Sequence, residues 1–294
     1  MSRTPANAQQ VELEYDSFGD PAHPTLLLVM GLGAQMILWR EELCELLASR
    51  GFHVVRFDNR DAGLSTFLDP AAQPDIRAIL QGDPSSAPYL LGDMALDALS
   101  VLDAIGVERA HLVGVSMGGM IVQQLATDHP ERVLSLCSVM SRPGDRVSGN
   151  ATPEVGALLL RPRPTDREEA IEAAIRSSVA IGSPGYPDDP AELRERVTVI
   201  YERNHRPDGY GRQLAAILAS PDRTAALGGV TVPTLVVHGA DDPLIDRSGG
   251  EATAKAVPGA ELLIFSGMGH NLPEPLWQPF ADAVTANAAK ASAN

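Results

Sequence analysis

A chain of 294 residues can bury a full α/β core with a modest insertion, and its hydrophobic content of 44% is that of an ordinary globular protein. Acidic residues outnumber basic ones 38 to 23, leaving a formal charge of −15 that argues against nucleic acid and anionic membrane surfaces as partners. The two cysteines, Cys44 and Cys137, read as buried free thiols, Met1–Gln10 carries no apolar signal segment, and no apolar run reaches the ~20 residues of a membrane span, so a cytoplasmic setting is expected.

In chain order, residues 1–10 read as disordered, and Val11–Tyr15, alternating apolar and polar, as an edge strand. Thr25–Met30 is apolar throughout, the mark of a strand buried on both faces, and runs into Gly31-Leu32-Gly33. Trp39–Arg50 reads as a helix with Leu43, Leu46 and Leu47 on one face and Gly51 closing it; Phe52–Phe57 reads as the next buried strand. Thr66–Pro88, rich in Pro, Asp and Gln, reads as a long loop. Tyr89–Ile105 follows as a helix stopped by Gly106, then strand Ala110–Val115, helix Met117–His129 and strand Val133–Met140. Strands and helices alternating this regularly imply a parallel sheet with right-handed crossovers.

From Ser141 the composition changes. Ser141–Pro164 has little periodicity, and three amphipathic helices then follow without a strand: Arg167–Ile181, Ala191–Asn204 and Tyr210–Ala219. Residues 141–225 therefore read as a helical cap inserted between core segments 1–140 and 226–294. After it come strand Thr234–His238, helix Ser248–Val257, strand Ala260–Phe265, helix Pro275–Ala289 and a tail, Lys290–Asn294, expected to fray.

The chemistry centres on Gly114-Val115-Ser116-Met117-Gly118, set between an apolar strand and a helix. That is the pattern of a nucleophile elbow, in which glycines on either side make room for a strained serine at a strand's carboxyl end. A serine hydroxyl is a poor nucleophile at neutral pH and needs a base, which in turn needs an orienting acid. Two later strands end in Gly239-Ala240-Asp241-Asp242-Pro243 and in Gly267-Met268-Gly269-His270, so the order is Ser, Asp, His. His270 is the expected base. Asp242, held extended before Pro243, is the expected orienter, and Asp241 is left to cap or to face solvent. The backbone N–H groups of Leu32 and Met117 are the expected oxyanion-hole donors, the second at a helix N-terminus. His238 reads as an ordinary strand-end histidine; neither a metal site nor a cofactor is expected.

Together, Met30-Gly31-Leu32-Gly33, Asp58-x-Arg60-x-x-Gly63-x-Ser65, Gly114-x-Ser116-x-Gly118, Gly239-x-x-Asp242-Pro243 and Gly269-His270 resemble the α/β-hydrolase superfamily over essentially the whole chain. Met30 stands where many members carry His, and Asp61 where Gly is more usual. The tighter resemblance is to aclacinomycin methylesterase-like hydrolases, which share the Val-Met-Gly opening and the Gly-Met-Gly-His ending; they remove a methyl ester from anthracycline-type polyketides. The resemblance supports Asp242 as the acid. It implies an α/β-hydrolase fold, with a mostly parallel eight-stranded sheet flanked by helices and carrying an inserted helical cap. Asp58, Arg60, Gly63 and Ser65 then brace a loop, with Arg60 structural.

The implied activity is that of a serine carboxylesterase acting through an acyl-enzyme on a small hydrophobic ester. A thioesterase, lactonase or C–C bond hydrolase on the same triad, and a non-catalytic ligand receptor, are the alternatives. Serine at 116 argues against epoxide hydrolase or dehalogenase chemistry, where an aspartate would stand. The expected partner is a small-molecule ester, and a homodimer is compatible with the sequence. The pocket should be apolar. Met36, Leu38, Trp39, Met140 and Met268 are its expected lining, with Tyr201, His205 and Tyr210 of the cap as contacts for a polar aromatic group.

Overall fold

A computed structural model describes residues 1–69, 73–161 and 163–292. Strands β1 (Ser2–Arg3), β2 (Glu14–Phe18) and β3 (Thr25–Val29) lead through helix α1 (Glu41–Ser49) to β4 (His53–Phe57). Helices α2 (Ile76–Leu80) and α3 (Leu91–Ala104) precede β5 (Ala110–Val115), α4 (Met117–Asp128) and β6 (Val133–Val139). Helices α5 (Pro153–Leu159), α6 (Arg167–Ile181), α7 (Pro190–Arg203), α8 (Asp208–Ala219) and α9 (Thr224–Leu227) then follow one another before β7 (Thr234–Gly239). Helix α10 (Ser248–Ala256), β8 (Glu261–Phe265) and α11 (Trp277–Ala289) complete the chain.

The eight strands form one sheet in the order β1-β2-β4-β3-β5-β6-β7-β8. The β1–β2 and β2–β4 pairs are antiparallel and every other pair is parallel. This is the eight-stranded, mostly parallel architecture that the motifs imply. Side chains alternate across β3. Leu27 and Val29 join α3 and α4 in one apolar layer, whereas Leu26 and Leu28 join α1 and α11 in the other. Strands covered on both faces have no polar side to show, hence their unbroken apolar runs. Strands β4 and β5 flank β3, so the crossovers diverge there and leave a crevice at the carboxyl ends of the strands.

The amino terminus is ordered, against expectation. Ser2–Arg3 pairs with β2, and Asn7 donates to Asp97 at 2.7 Å. The edge strand also starts later than its sequence pattern. Val11 and Leu13 are fully buried, as their alternation requires, but their stretch bonds to Thr4, Asn7 and Thr66, and the ladder to β4 begins at Tyr15. Alternation reports burial, and here burial and pairing occupy neighbouring segments. Within Thr66–Pro88, α2 forms behind its cap Asp75; residues 70–72 lie outside the described chain. Helix α5 sits within Ser141–Pro164, signalled by Thr152 as cap and Pro153 as first residue. Lys290–Ser292 continues α11 as a 3₁₀ turn, and 293–294 lie outside the described residues. Among the described residues, no helix is long and apolar enough to cross a membrane.

Cys44 and Cys137 are free and buried, on α1 and β6. Burial pushes the Cys44 thiol up to about 12 and raises that of Cys137 as well.

Two buried polar interactions bear on stability. Arg60 forms two hydrogen bonds, of 2.5 and 2.7 Å, to Asp97, and both side chains are 1% exposed. Asp97→Ala leaves a buried unpaired guanidinium and should cost about 3–5 kcal/mol, read as a lower urea midpoint; a loss below 1 kcal/mol would show that the ion pair is dispensable. His111, bonded to Ser135 Oγ at 2.8 Å, is held by burial at a pKa of about 4, against 6.5 for an exposed histidine. Between those values the unfolded chain binds a proton that the folded chain refuses. Stability therefore falls as pH drops through this window, by about 3 kcal/mol from this group near pH 4. Urea unfolding at several pH values should show a flatter acid limb for His111→Gln, and an unchanged limb would exclude His111 as its source.

Candidate active site

Ser116 closes β5 and opens α4 with φ 55° and ψ −120°, a conformation that side chains rarely adopt. Close packing holds it there. A Cβ on Gly118 would stand 2.1 Å from the Val29 carbonyl oxygen, and one on Gly114 would stand 2.2 Å from that of Gly118. Ser116 N–H donates to Val139 O at 2.9 Å, and Ser141 Oγ donates to Ser116 O at 2.8 Å. The hydroxyl thus projects from a turn fixed on both sides.

The three polar side chains meet. Ser116 Oγ lies 2.9 Å from His270 Nε2, and His270 Nδ1 lies 2.7 Å from Asp242 Oδ2. A carboxylate can only accept, so Nδ1 carries the proton and Nε2 offers its lone pair to the serine hydroxyl. Asp242, 5% exposed, is oriented by Leu244 and Ile245, whose N–H groups each donate to Oδ1 at 2.9 Å. Asp241 faces outward and accepts from Gly267 N–H at 2.9 Å, bracing the histidine's loop. His238 is fully buried behind Asp242. Its Nε2–H donates to Ile245 O at 2.7 Å, and burial lowers its pKa so that it stays neutral.

Leu32 and Met117 sit where β3 and β5 end. As the first residue of α4, Met117 has an N–H without a partner inside the helix. Leu32 lies in a turn closed by Ala34 N–H donating to Gly31 O at 3.2 Å, with Gly33 at φ 66°. That bond fixes the Gly31 carbonyl, and in a trans peptide the Leu32 N–H then points the opposite way. Leu32 and Ser116 both face a cavity of about 1080 Å³. Trp39 and Met140 line it, as do Leu38, Tyr201, His205 and Tyr210. Met268 and Met36 do not. Both are fully buried, Met268 in the layer beneath the site, where its carbonyl accepts from Asp241 N–H. An apolar residue beside a site glycine packs inward as readily as outward, and its sequence neighbours do not separate the two.

Residues of the helices between β6 and β7 hold the site's loops, and sequence reasoning missed them. Gln213 on α8 accepts from Gly33 N–H and donates to Arg60 O, each at 2.7 Å. Arg212 pairs with Asp61 at 2.6 and 2.9 Å, and Arg203 on α7 with Asp58 at 2.7 Å. Ile181 at the end of α6 accepts from His270 N–H at 2.7 Å, and Ser183 Oγ accepts from Gly269 N–H at 2.9 Å. Apolar periodicity marks which face of a helix is buried, not which polar residues on that face find partners.

The family model for the alpha/beta hydrolase fold matches residues 24–274. The chain is 31% identical over 300 residues to the rhodomycin D methylesterase DauP of Streptomyces sp. (strain C5), covering 95% of each. It is 31% identical over 298 residues to the rhodomycin D methylesterase DnrP of Streptomyces peucetius, again covering 95% of each. Among solved structures it is similar to a hydrolase from Pseudomonas aeruginosa PA01, at TM-score 0.71 and 26% identity over 97% of each chain.

Ser116→Gly removes the side chain that makes the turn unfavourable. Thermal unfolding should show a stabilisation of about 1 kcal/mol; an unchanged or lower melting temperature would mean that the turn stores no strain.

Proposed function

This chain belongs to the alpha/beta hydrolase family and is an ester-bond hydrolase, and on that premise we propose that it is a serine esterase working through an acyl-enzyme. The observation that carries this reading is the hydrogen-bond chain from Ser116 through His270 to Asp242, 2.9 and 2.7 Å long, at the wall of a large cavity.

Ser116 Oγ attacks the ester carbonyl as His270 Nε2 takes its proton. Asp242 holds the imidazole in the tautomer that can accept this proton and stabilises the imidazolium that results. Charge moves to the carbonyl oxygen, where the N–H groups of Leu32 and Met117 receive it; one such donor contributes about 3 kcal/mol. Collapse of the tetrahedral intermediate breaks the bond to the alcohol oxygen, and His270 returns its proton to that leaving group. Water then repeats the cycle on the acyl-serine and releases the acid.

The helices between β6 and β7 serve as the cap, the role expected of residues 141–225. A cavity of about 1080 Å³ lies above the usual range for drug-sized ligands and suits a large methyl ester of polyketide type, in line with the two Streptomyces relatives named as rhodomycin D methylesterases. Trp39, Met140 and Leu38 supply apolar wall, and Tyr201, His205 and Tyr210 supply polar aromatic edges.

Ser116→Ala should reduce turnover of a p-nitrophenyl ester by at least about 10³-fold, leave the protein folded and abolish labelling by a fluorophosphonate probe. Wild-type rates in that variant would refute the assignment.

A further inference from the structure

A second cavity, of about 250 Å³, shares Met120, Arg142, Ile217 and Leu218 with the first. It abuts the nucleophile's turn, because Met120 N–H donates to Ser116 O at 3.2 Å and Arg142 follows Ser141, whose Oγ donates to the same carbonyl. Three arginines line it: Arg142, Arg146 and Arg223.

On a chain of net charge −15, none of these three forms an ion pair among the described residues. Arg223 is 3% exposed, and its guanidinium reaches only Gln123 Oε1 at 3.3 Å and Arg142 O at 3.1 Å. Arg142 reaches Gly149 O at 3.3 Å. The acids nearby are engaged elsewhere. Asp145 accepts from Val147 and Ser148, Asp222 from Thr224, and Asp246 from Asn150 and Ser248. Burial, with Arg142 adding to it and Asp222 opposing it, pushes the Arg223 guanidinium down to about 10. Arg146 is held at φ 61°, an unfavourable backbone for a side chain, beside Gly144 at φ 100°. A buried cation without a direct ion-pair partner is costly, and guanidinium forks match the oxygens of a carboxylate or phosphate.

We propose that this side cavity is an anion subsite of the ester pocket, taking a carboxylate or phosphate at the far end of a substrate whose ester lies at Ser116. The proposal rests on the serine-esterase reading and narrows its substrates to esters with an anionic tail. Long-range repulsion from the acidic surface acts on every anion alike. The subsite supplies the local attraction that selects one placed at the right distance from the ester.

The test compares mono-p-nitrophenyl esters of dicarboxylic acids of increasing chain length, and their terminal phosphate analogues, with neutral esters of equal length. The readout is the ratio of kcat/KM for anionic over neutral ester within each protein, so that general losses cancel. The wild type should favour one chain length of anionic ester by about tenfold, less at high salt, and the arm with the larger ratio identifies carboxylate or phosphate. In Arg146→Gln and Arg142→Gln the ratio should fall towards one. A wild-type ratio of one or below at every length, or a preference that survives both substitutions, overturns the subsite. Calorimetric binding of the same esters to Ser116→Ala protein reads the subsite without turnover. There the anionic ester should bind about tenfold tighter than the neutral one and lose that advantage on adding Arg146→Gln; equal binding overturns the proposal. Failure of the esterase reading shows separately, as no hydrolysis of neutral esters and no fluorophosphonate labelling of Ser116.

Discussion

The crossing of α4 over β3 is the constraint on which the rest depends. With an atom of side chain at position 118 standing 2.1 Å from the Val29 carbonyl, glycine is required for the helix to come this close. The close approach forces the chain to reverse within one residue, and that residue is Ser116 at φ 55°. The same contact brings the end of β3 beside the start of α4, so that Gly31 lies against the serine, its position for a Cβ only 3.2 Å from Ser116 Cβ. An unfavourable local backbone persists because two apolar layers on either side of the sheet over-determine it.

The site is a joint product of the sheet and of the helices between β6 and β7. The sheet presents Ser116, Asp242 and His270 in the loops after the carboxyl ends of β5, β7 and β8. The helices then fix the loops. Gln213 ties down Gly33, Arg203 and Arg212 take the carboxylates of Asp58 and Asp61, and the segment after α6 holds the backbone of Gly269 and His270. Gly209 meets Asp61 so closely that a Cβ there would stand 2.1 Å from its carbonyl oxygen. A swing of α6 or α8 away from the sheet would therefore disturb the histidine or the turn at Leu32. Helices α6 and α7 share a small apolar cluster of their own, Ile171, Leu193 and Val197.

Much of this was legible in the sequence. Buried parallel strands advertise themselves as unbroken apolar runs, and glycines at 114 and 118 mark a backbone approach that only they permit. The place of Asp242 before Pro243, together with the family resemblance, set it apart from Asp241; in the structure Asp242 faces His270 while Asp241 turns to Gly267. What stayed hidden was long-range. Asp61 departs from the usual glycine, and nothing near it in sequence names Arg212, 151 residues away, as its partner. Val11 and Leu13 signalled burial without revealing that Val11 bonds to Asn7, Leu13 to Thr4 and Glu12, between them, to Thr66. Met268 read as pocket wall, yet its side chain is fully buried in the apolar layer beneath the site.

The two cysteines carry a practical consequence. Both thiols are buried, Cys44 against the Trp39 carbonyl and the Arg56 guanidinium and Cys137 in the apolar layer, and both are held far from the thiolate form, so alkylating reagents at neutral pH should pass them by. A single cysteine introduced on an exposed face of α6 or α7 would then be the one reactive sulfur in the molecule. A fluorophore or spin label could be attached there without removing either native residue, so that any displacement of those helices on ligand binding would be measured directly.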